Sequence, residues 1–188
     1  MRSADLFVFR AINNWPVSVE GFIRFFSEAM NFGWVKALLG LLVVWLIWQG
    51  GPGRVAAFSA LLGFLIANGV TDLFKTLLPE HRPFQELAAV HLRAGWSPSF
   101  GTASAHSANM AAVAFAFTAH LRRWGAFWIP VALLTGISRV YVGVHYPHQV
   151  LLGWACGIAA GALVFAGHNL IAKRSKSDHE NEASTPLA

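Results

Sequence analysis

The chain has 188 residues, of which 55% are hydrophobic and 12% are charged, and its mean hydropathy is +0.50. A soluble domain carries about 25% charged residues, so this composition excludes an ordinary soluble protein and predicts an integral membrane protein. The one cysteine, Cys156, excludes a disulfide framework within the chain and a metal site built from several cysteines. The net charge of +5 comes from basic residues scattered among apolar segments, which argues against nucleic acid as a partner.

The first 31 residues have the pattern of amphipathic helices that lie on a membrane surface. The run ADLFVFRAINNW is interrupted by Asp5 and Arg10, which the apolar core of a signal peptide does not tolerate. The run FIRFFSEAM combines several phenylalanines with Arg24 and Glu28, so one side can face lipid while the other stays in water. We therefore predict that residues 1–31 form an N-terminal interfacial segment.

Five apolar segments of membrane length follow, and they predict an all-α helical bundle with about five transmembrane helices in residues 32–172. The run Gly50-Gly51-Pro52-Gly53 predicts a turn between the first two segments, and Pro79 ends the second. The segments are Phe32–Trp48, Arg54–Leu78, Ala103–Leu121, Gly125–Val144 and Val150–Ile171.

The last segment and the residues after it have distinct compositions. Gly153, Gly157 and Gly161 are spaced four apart on one helix face, which allows another helix to approach closely in lipid. Residues 173–188 are polar and contain few apolar side chains. We therefore predict that this tail is disordered and cytoplasmic.

The loop charges predict which side of the membrane each helix end faces. We expect three basic regions in the cytoplasm, because positive charge is enriched in cytoplasmic loops. They are the turn at residues 49–53 with Arg54 after it, the pair Arg122-Arg123, and the run KRSK at residues 173–176. The loop from Pro79 to Thr102 and the turn around His145 then lie on the opposite side. The sequence thus predicts a bacterial inner membrane protein with its functional site at the extracytoplasmic face.

Chemistry-bearing side chains collect at that predicted face, at the ends of three different helices. Ionisable groups in or beside a membrane are costly, so they are functional candidates. Three cations with two histidines and few acids indicate an anion site, and most simply a phosphate site. These residues are Lys75, Arg82, Ser104, His106, Arg139, His145 and Gln149.

Helix geometry predicts how the last three of these residues are arranged. Arg139 and His145 are six residues apart, and an unbroken helix would rotate them by about 240° relative to each other. We therefore expect the helix to end between them at Gly143, with His145 on a turn and Pro147 in the first turn of the next helix. Gln149 can then reach back to the imidazole.

The third apolar segment is expected to begin with a capped helix. Thr102 is the predicted cap, which places Ser104 and His106 in the first turn. Free N–H groups and the positive end of the helix dipole would then point toward a bound anion.

Three motifs, in this order, resemble those of the type 2 phosphatidic acid phosphatase superfamily. KTLLPEHRP at residues 75–83 resembles Lys-x6-Arg-Pro, and ASAH at residues 103–106 resembles Pro-Ser-Gly-His. SRVYVGVHYPHQ at residues 138–149 resembles Ser-Arg-x5-His-x3-Asp. The resemblance covers residues 54–171 and implies a helical-bundle membrane enzyme that needs no metal or other cofactor. Such enzymes remove phosphate from lipid phosphates or diphosphates through a phosphohistidine intermediate.

The resemblance also implies a role for each matching residue. His145 is expected to be the nucleophile on phosphorus, and His106 the general acid that protonates the leaving oxygen. Gln149 stands where the family has an aspartate that holds the nucleophilic imidazole. Glutamine can accept the same hydrogen bond but carries no charge, so we expect a carboxylate restored at position 149 to raise the rate. The residues that would hold the phosphoryl oxygens are Lys75, Arg82, Ser104 and Arg139.

Other residues near the motifs have structural interpretations. Asp72 precedes Lys75 by three residues, so the two can form an ion pair on one helix face. The remaining histidines are interpreted as loop or interface residues, and His148, which flanks the predicted nucleophile, is the one that could contact substrate. These histidines are His81, His91, His120, His148 and His168.

Three functions remain open from the sequence. A phosphatase would hydrolyse a lipid phosphate or diphosphate, with polyprenyl diphosphate or a glycerophospholipid phosphate as the leading substrates. A phosphotransferase would pass the same phosphohistidine to an acceptor other than water. A weakened member would bind lipid phosphates without fast turnover, which the glutamine at position 149 favours. In each case the expected partners are the lipid phosphate and the bilayer.

Overall fold

The computed structural model describes residues 3–184, and all regular structure in this range is helical. The all-α class predicted from the sequence is therefore confirmed for these residues. Short 3-10 turns at Val17–Val19 and Ala29–Asn31 flank the second α-helix. The α-helices are α1 Ser3–Asn13, α2 Glu20–Glu28, α3 Gly33–Gln49, α4 Gly51–Leu77, α5 Pro83–Glu86, α6 Ala105–His120, α7 Arg122–Tyr141 and α8 Pro147–Ser184.

Each of the five predicted apolar segments forms a helix, but these helices differ in how well they suit a bilayer crossing. By length and hydropathy, α4 and the Pro147–Asp178 part of α8 can each cross a membrane. Residues Val17–Asn31 and α3 meet the same criterion together, with a bend of 67° between them. Helix α6 has only 16 residues, whereas a crossing needs about 20. About five crossings therefore remain a prediction.

Helix α6 lies at the centre of the bundle and packs against α4, α7 and α8. Its buried positions are mostly alanines, including Ala108, Ala112 and Ala116. Small side chains let the surrounding backbones approach closely, which is how helices associate in lipid. This packing fixes the start of α6, where two of the predicted site residues lie.

The glycine face of α8 packs closely against another helix, as the sequence predicted, and the structure identifies that helix as α6. A Cβ added at Gly153 would lie 2.5 Å from the carbonyl oxygen of Ser104, and one at Gly161 would lie 2.9 Å from the Cβ of Phe115. At Gly157 an added Cβ would overlap the carbonyl oxygen of Ala108. The stripe is thus a packing surface between the two helices.

Gly157→Ala is expected to destabilise the protein by about 1–3 kcal/mol, because the new methyl group forces α8 away from α6. Gly167→Ala on the same helix is the matched control, since an added Cβ there has no neighbour within 4 Å. Thermal unfolding in detergent measures both variants. Equal melting temperatures for the two variants would contradict the close contact.

The N-terminal helices pack on the functional end of the bundle. Helix α1 contacts α7 and α8, and α2 contacts α7. The buried side chain of Asn13 donates to the carbonyl oxygens of Tyr141 (2.8 Å) and His91 (3.0 Å) and accepts from the His91 N–H. On the outer side Phe7 is 74% exposed. The interfacial location of residues 1–31 stays a prediction, and residues 1–2 lie outside the described residues.

Two boundaries differ from those expected. The turn between α3 and α4 is confined to Gly50, which has a φ of 74°, and α4 already begins at Gly51. Helix α8 continues through Ser184, so the described part of the predicted disordered tail is helical. Its Lys, Arg and Glu residues are good helix formers, and no glycine or proline interrupts residues 173–184. The remaining tail, residues 185–188, lies outside the described residues.

Candidate active site

The chain turns between α7 and α8 as the sequence predicted. Helix α7 ends at Tyr141, Gly143 adopts a φ of 82°, and α8 begins at Pro147. A Cβ at Gly143 would lie 2.8 Å from Val90, so both the backbone angle and the space require glycine. His145 therefore sits on the turn itself, with only 3% of its surface exposed.

The hydrogen bonds of His145 determine which ring nitrogen carries the proton. Nδ1 lies 3.1 Å from the carbonyl oxygen of Gly101 and 3.1 Å from Oε1 of Gln149. Both partners are acceptors, so Nδ1 carries the hydrogen and donates it. Nε2 then carries the lone pair, which accepts a hydrogen bond from Nη1 of Arg82 at 3.3 Å. The predicted contact between Gln149 and the imidazole is confirmed.

The buried amide of Gln149 is held in one orientation by its neighbours. Its Nε2 donates to the carboxylate of Glu80 (3.0 Å) and to the carbonyl oxygen of His81 (3.0 Å). Its Oε1 accepts from the backbone N–H of Tyr146 (3.2 Å) as well as from His145. A flipped amide would face acceptors with an oxygen and donors with an NH2 group, so the observed orientation is the one that satisfies every partner.

The environment keeps His145 neutral. Burial lowers the pKa of His145 well below its usual range, and the positive charges of Arg139 and Arg82 lower it further. The hydrogen bond with Gln149 raises it, but less than these effects lower it. A neutral imidazole with its lone pair on Nε2 is the form that can attack an electrophile once Arg82 moves its N–H from that nitrogen to the electrophile.

Arg82 is a buried guanidinium that the loop before α6 holds in place. Its Nε donates to the carbonyl oxygen of Ser99 (2.7 Å), and its Nη2 donates to the Ser99 hydroxyl (2.8 Å). Its Nη1 donates to the carbonyl oxygen of Val144 (3.3 Å) and faces Nε2 of His145. Burial lowers the pKa of Arg82. An anion beside His145 would meet a fixed positive charge next to Nε2 of the imidazole.

Arg139 is held from the N-terminal side of the molecule. Its Nη1 donates to the hydroxyl (2.5 Å) and the carbonyl oxygen (3.3 Å) of Ser27 on α2. Its Nε is buried and has no hydrogen-bond partner within the described part of the chain. A buried guanidinium N–H without a partner is costly, and a phosphoryl oxygen would satisfy it.

The start of α6 differs in one respect from the prediction. Ser104, not Thr102, is the cap of the helix, and its hydroxyl accepts from the N–H of Ser107. The hydroxyl of Thr102 instead donates to the carbonyl oxygen of Leu78 (2.6 Å) and accepts from the N–H of Glu80 (3.1 Å). Thr102 therefore joins the end of α4 to the loop, and Ser104 is fully buried.

His106 and Lys75 lie on the open side of the site. His106 is exposed in the first turn of α6, and the positive charges of Arg139, Arg82 and Lys75 all act on it. The ammonium group of Lys75 forms an ion pair with Asp72 at 2.9 Å, which confirms the predicted pair. Lys75 is thus near His106, while Arg82 makes the direct contact with His145.

The structure brings five of the predicted residues together and adds others that the sequence did not indicate. His106, Arg82, Arg139 and Gln149 surround His145. Glu80 lies inside the first motif, and its acidic side chain among basic neighbours was the available clue. The residues that no sequence pattern indicated are Asp5, Ser27, Ser99 and Gly101.

Arg139→Lys is expected to reduce phosphate release from a lipid phosphate about 100-fold. Lysine has all its N–H donors on one nitrogen, so it cannot bond to Ser27 through one nitrogen and to a phosphoryl oxygen through another, as Nη1 and Nε of arginine can. Arg24→Lys is the matched control, because Arg24 pairs with Glu20 and Glu28 on the exposed side of α2. Equal rates for the two variants would show that Arg139 does not bind the phosphoryl group.

The chain is similar to membrane phosphatases of known family. The family described as the PAP2 superfamily matches residues 56–172. Undecaprenyl-diphosphatase BcrC of Bacillus subtilis is 30% identical over 138 residues, which cover 73% of this chain and 70% of that protein. An undecaprenyl-diphosphatase of Sulfolobus acidocaldarius is 27% identical over 154 residues, 80% of this chain and 71% of that protein. The crystal structure of Aquifex aeolicus LpxE matches with a TM-score of 0.72 at 25% identity, covering 88% of this chain and 96% of that one.

Proposed function

This chain belongs to the PAP2 superfamily, and from that premise we propose that it is a lipid phosphatase that works through a phosphohistidine at His145. One observation carries the proposal above all others. His145 is buried and neutral, it donates its Nδ1 hydrogen to Gly101 and Gln149, and its Nε2 lone pair lies beside the guanidinium of Arg82. This is the arrangement that an attack on a negatively charged phosphoryl group needs.

In the first half of the reaction, Nε2 of His145 forms a bond to phosphorus while the bond from phosphorus to the lipid oxygen breaks. His106, whose charged form is favoured when the bound anion offsets the cations Arg139, Arg82 and Lys75, gives its proton to the leaving oxygen. The imidazole becomes a cation whose Nδ1 hydrogen stays on its two acceptors. Arg82 turns from Nε2 to a phosphoryl oxygen, and the free Nε of Arg139 binds another.

In the second half, water attacks the phosphohistidine. His106, now neutral, accepts a proton from the water, and the bond between phosphorus and Nε2 breaks. Inorganic phosphate leaves, and His145 returns to its neutral form with the lone pair on Nε2. Lys75 lies where it can neutralise charge on the phosphate near His106.

The proposed substrate is a polyprenyl diphosphate or a glycerophospholipid phosphate. The names of two relatives, both undecaprenyl-diphosphatases, favour the first of these. Exposed aromatic side chains of the loop before α6, Trp96 and Phe100, are suited to contact a lipid chain at the membrane surface.

Phosphate release from purified protein in detergent tests the proposal. The panel contains undecaprenyl diphosphate, phosphatidate and phosphatidylglycerophosphate, each with and without an acceptor lipid. We expect inorganic phosphate to be released from at least one of them independently of the acceptor. Phosphate that appears only on the acceptor would instead identify a phosphotransferase. Binding of every lipid without release would identify a lipid-phosphate-binding protein.

We further propose that the protein lies in a bacterial inner membrane with this site on the extracytoplasmic side. Cysteine labelling in intact cells tests the orientation, because the native Cys156 is buried. A cysteine at Ala88, in the exposed loop after α5, is expected to react with a membrane-impermeant reagent. A cysteine at Arg123, at the other end of the bundle, is expected to react only after the cells are opened. The opposite labelling pattern would place the site on the cytoplasmic side.

A further inference from the structure

Glu80 makes contacts that the proposed reaction does not yet use. Its carboxylate Oε2 accepts a hydrogen bond from Nε2 of Gln149 at 3.0 Å and another from Nε2 of His148 at 2.8 Å. The backbone of Glu80 is fixed on both sides, since its N–H donates to Thr102 and its carbonyl oxygen accepts from Gly101 at 2.7 Å. The carboxylate is therefore held against two residues in the first turn of α8, His148 and Gln149.

These contacts connect Glu80 to the nucleophile through one amide group. The Nδ1 hydrogen of His145 is donated to Oε1 of Gln149, and the Nε2 hydrogen of Gln149 is donated to Glu80. An amide that donates to an anion has a more negative oxygen, so hydrogen bonds in such a chain strengthen one another. The carboxylate charge can thereby act on the imidazole without direct contact.

We propose that Glu80 is a positioning residue that acts through Gln149 to orient His145 and to stabilise the imidazolium formed when it is phosphorylated. The inference rests on the proposed function of His145. The family aspartate would contact the histidine directly. In this chain the negative charge is on Glu80, and Gln149 lies between it and His145. No proton leaves His145 in this arrangement, because Gln149 passes on polarisation and not a proton.

His148 explains why the negative charge of Glu80 remains available. Its Nδ1 lies 2.8 Å from Asp5 and its Nε2 lies 2.8 Å from Glu80, so both ring nitrogens face carboxylate oxygens. Both contacts are hydrogen bonds only when the ring is doubly protonated. Asp5 also accepts from the backbone N–H of His148 at 3.0 Å. One imidazolium between two carboxylates leaves a net charge of about −1 next to Gln149.

The same geometry reverses the expectation for a carboxylate at position 149. In the parent, Nε2 of Gln149 lies 3.0 Å from a carboxylate oxygen of Glu80 and 3.0 Å from the carbonyl oxygen of His81. In Gln149→Glu a carboxylate oxygen would take the place of this nitrogen and face both of those oxygens. Like charges at this distance oppose each other, and a buried acceptor facing another acceptor is unsatisfied. Gln149→Glu alone is therefore expected to be slower than the parent.

Four proteins test the proposal in detergent on the lipid phosphate that the parent hydrolyses fastest: the parent, Glu80→Gln, Gln149→Glu and the double variant. Glutamine at position 80 keeps an acceptor for Gln149 and removes only the charge. We expect kcat to fall about tenfold with KM unchanged, since Glu80 is 45% exposed and its charge is partly screened. The double variant restores one carboxylate and one amide, and it should be at least fivefold faster than Gln149→Glu.

Glu86→Gln is the matched control, because Glu86 is a nearby glutamate that accepts from the hydroxyl of Tyr146 and not from Gln149. Its kcat should stay within about twofold of the parent. A Glu80→Gln variant as fast as this control would overturn the proposal. The proposal would also be overturned if the fold reduction in kcat of the double variant equals the product of the fold reductions of the two single variants.

NMR of histidine labelled with ¹⁵N provides a readout that does not depend on activity. The Nδ1 proton of His145 is identified by its absence in His145→Ala. We expect Glu80→Gln to shift this proton upfield, because the acceptor Gln149 becomes less negative, while Glu86→Gln leaves it unchanged. An unshifted proton overturns the relay. If the parent hydrolyses no lipid phosphate but the proton shifts, the relay stands and the proposed function falls.

Discussion

His145→Ala is expected to reduce phosphate release at least about 1000-fold on every lipid phosphate, because it removes the imidazole on which the proposed covalent intermediate forms. The substitution also leaves Gly101 and Gln149 without the hydrogen that they accept, so some loss of stability accompanies it. Initial rates are measured on protein that elutes as a single species in detergent. Rapid quenching with ³²P-labelled substrate should trap a labelled parent and an unlabelled variant.

His91→Ala is the control for this substitution. The side chain of His91 is exposed, and only its backbone bonds to Asn13. The variant should keep the parent rate and the trapped label. If His145→Ala retains more than a few per cent of the activity, or still becomes labelled, another residue attacks phosphorus and the proposed mechanism is wrong.

His106→Ala is expected to slow the reaction by an amount that depends on the leaving group. With phosphatidate the leaving oxygen is an alkoxide that needs a proton, so the loss should reach about 1000-fold. With undecaprenyl diphosphate the leaving group is itself a phosphate, whose second pKa is near 6, and it can leave without protonation. The loss should therefore be at least about tenfold smaller on the diphosphate. Rates of parent and variant on both substrates measure this difference.

His120→Ala on the same helix controls for general effects on α6. His120 lies at the other end of that helix, where it bonds to Ser59. The reduction in rate caused by His120→Ala should be small and the same on both substrates. A His106→Ala variant that loses the same factor on phosphatidate and on the diphosphate would show that His106 binds the phosphoryl group and does not protonate the leaving oxygen.

The sequence by itself determined the features that depend on neighbouring residues. Helical geometry required a break between Arg139 and His145, and the break lies at Gly143 as predicted. The four-residue spacing from His145 to Gln149 allowed a hydrogen bond at the start of a helix, and that bond is present. The apolar composition likewise determined a helical membrane class. Each of these follows from backbone geometry or from hydrophobicity within a short segment.

Only the tertiary structure decided which partners complete the site. Gln149 donates to Glu80, which is 69 residues away in the chain, and Arg139 donates to Ser27, which is 112 residues away. The contact between Asp5 and His148 joins residues 143 apart. No spacing rule links such positions, because their meeting depends on how α1, α2 and the loop before α6 pack on the bundle.

The cap of α6 shows the same division on a small scale. Thr102 and Ser104 both have the side chain that a helix cap needs, and sequence preference ranks them closely. Packing decides between them, because the end of α4 brings the carbonyl oxygen of Leu78 to the hydroxyl of Thr102. Ser104 is then left to begin the helix. A residue's chemistry is thus readable from the sequence, whereas the partner it bonds to is set by the groups that burial places beside it.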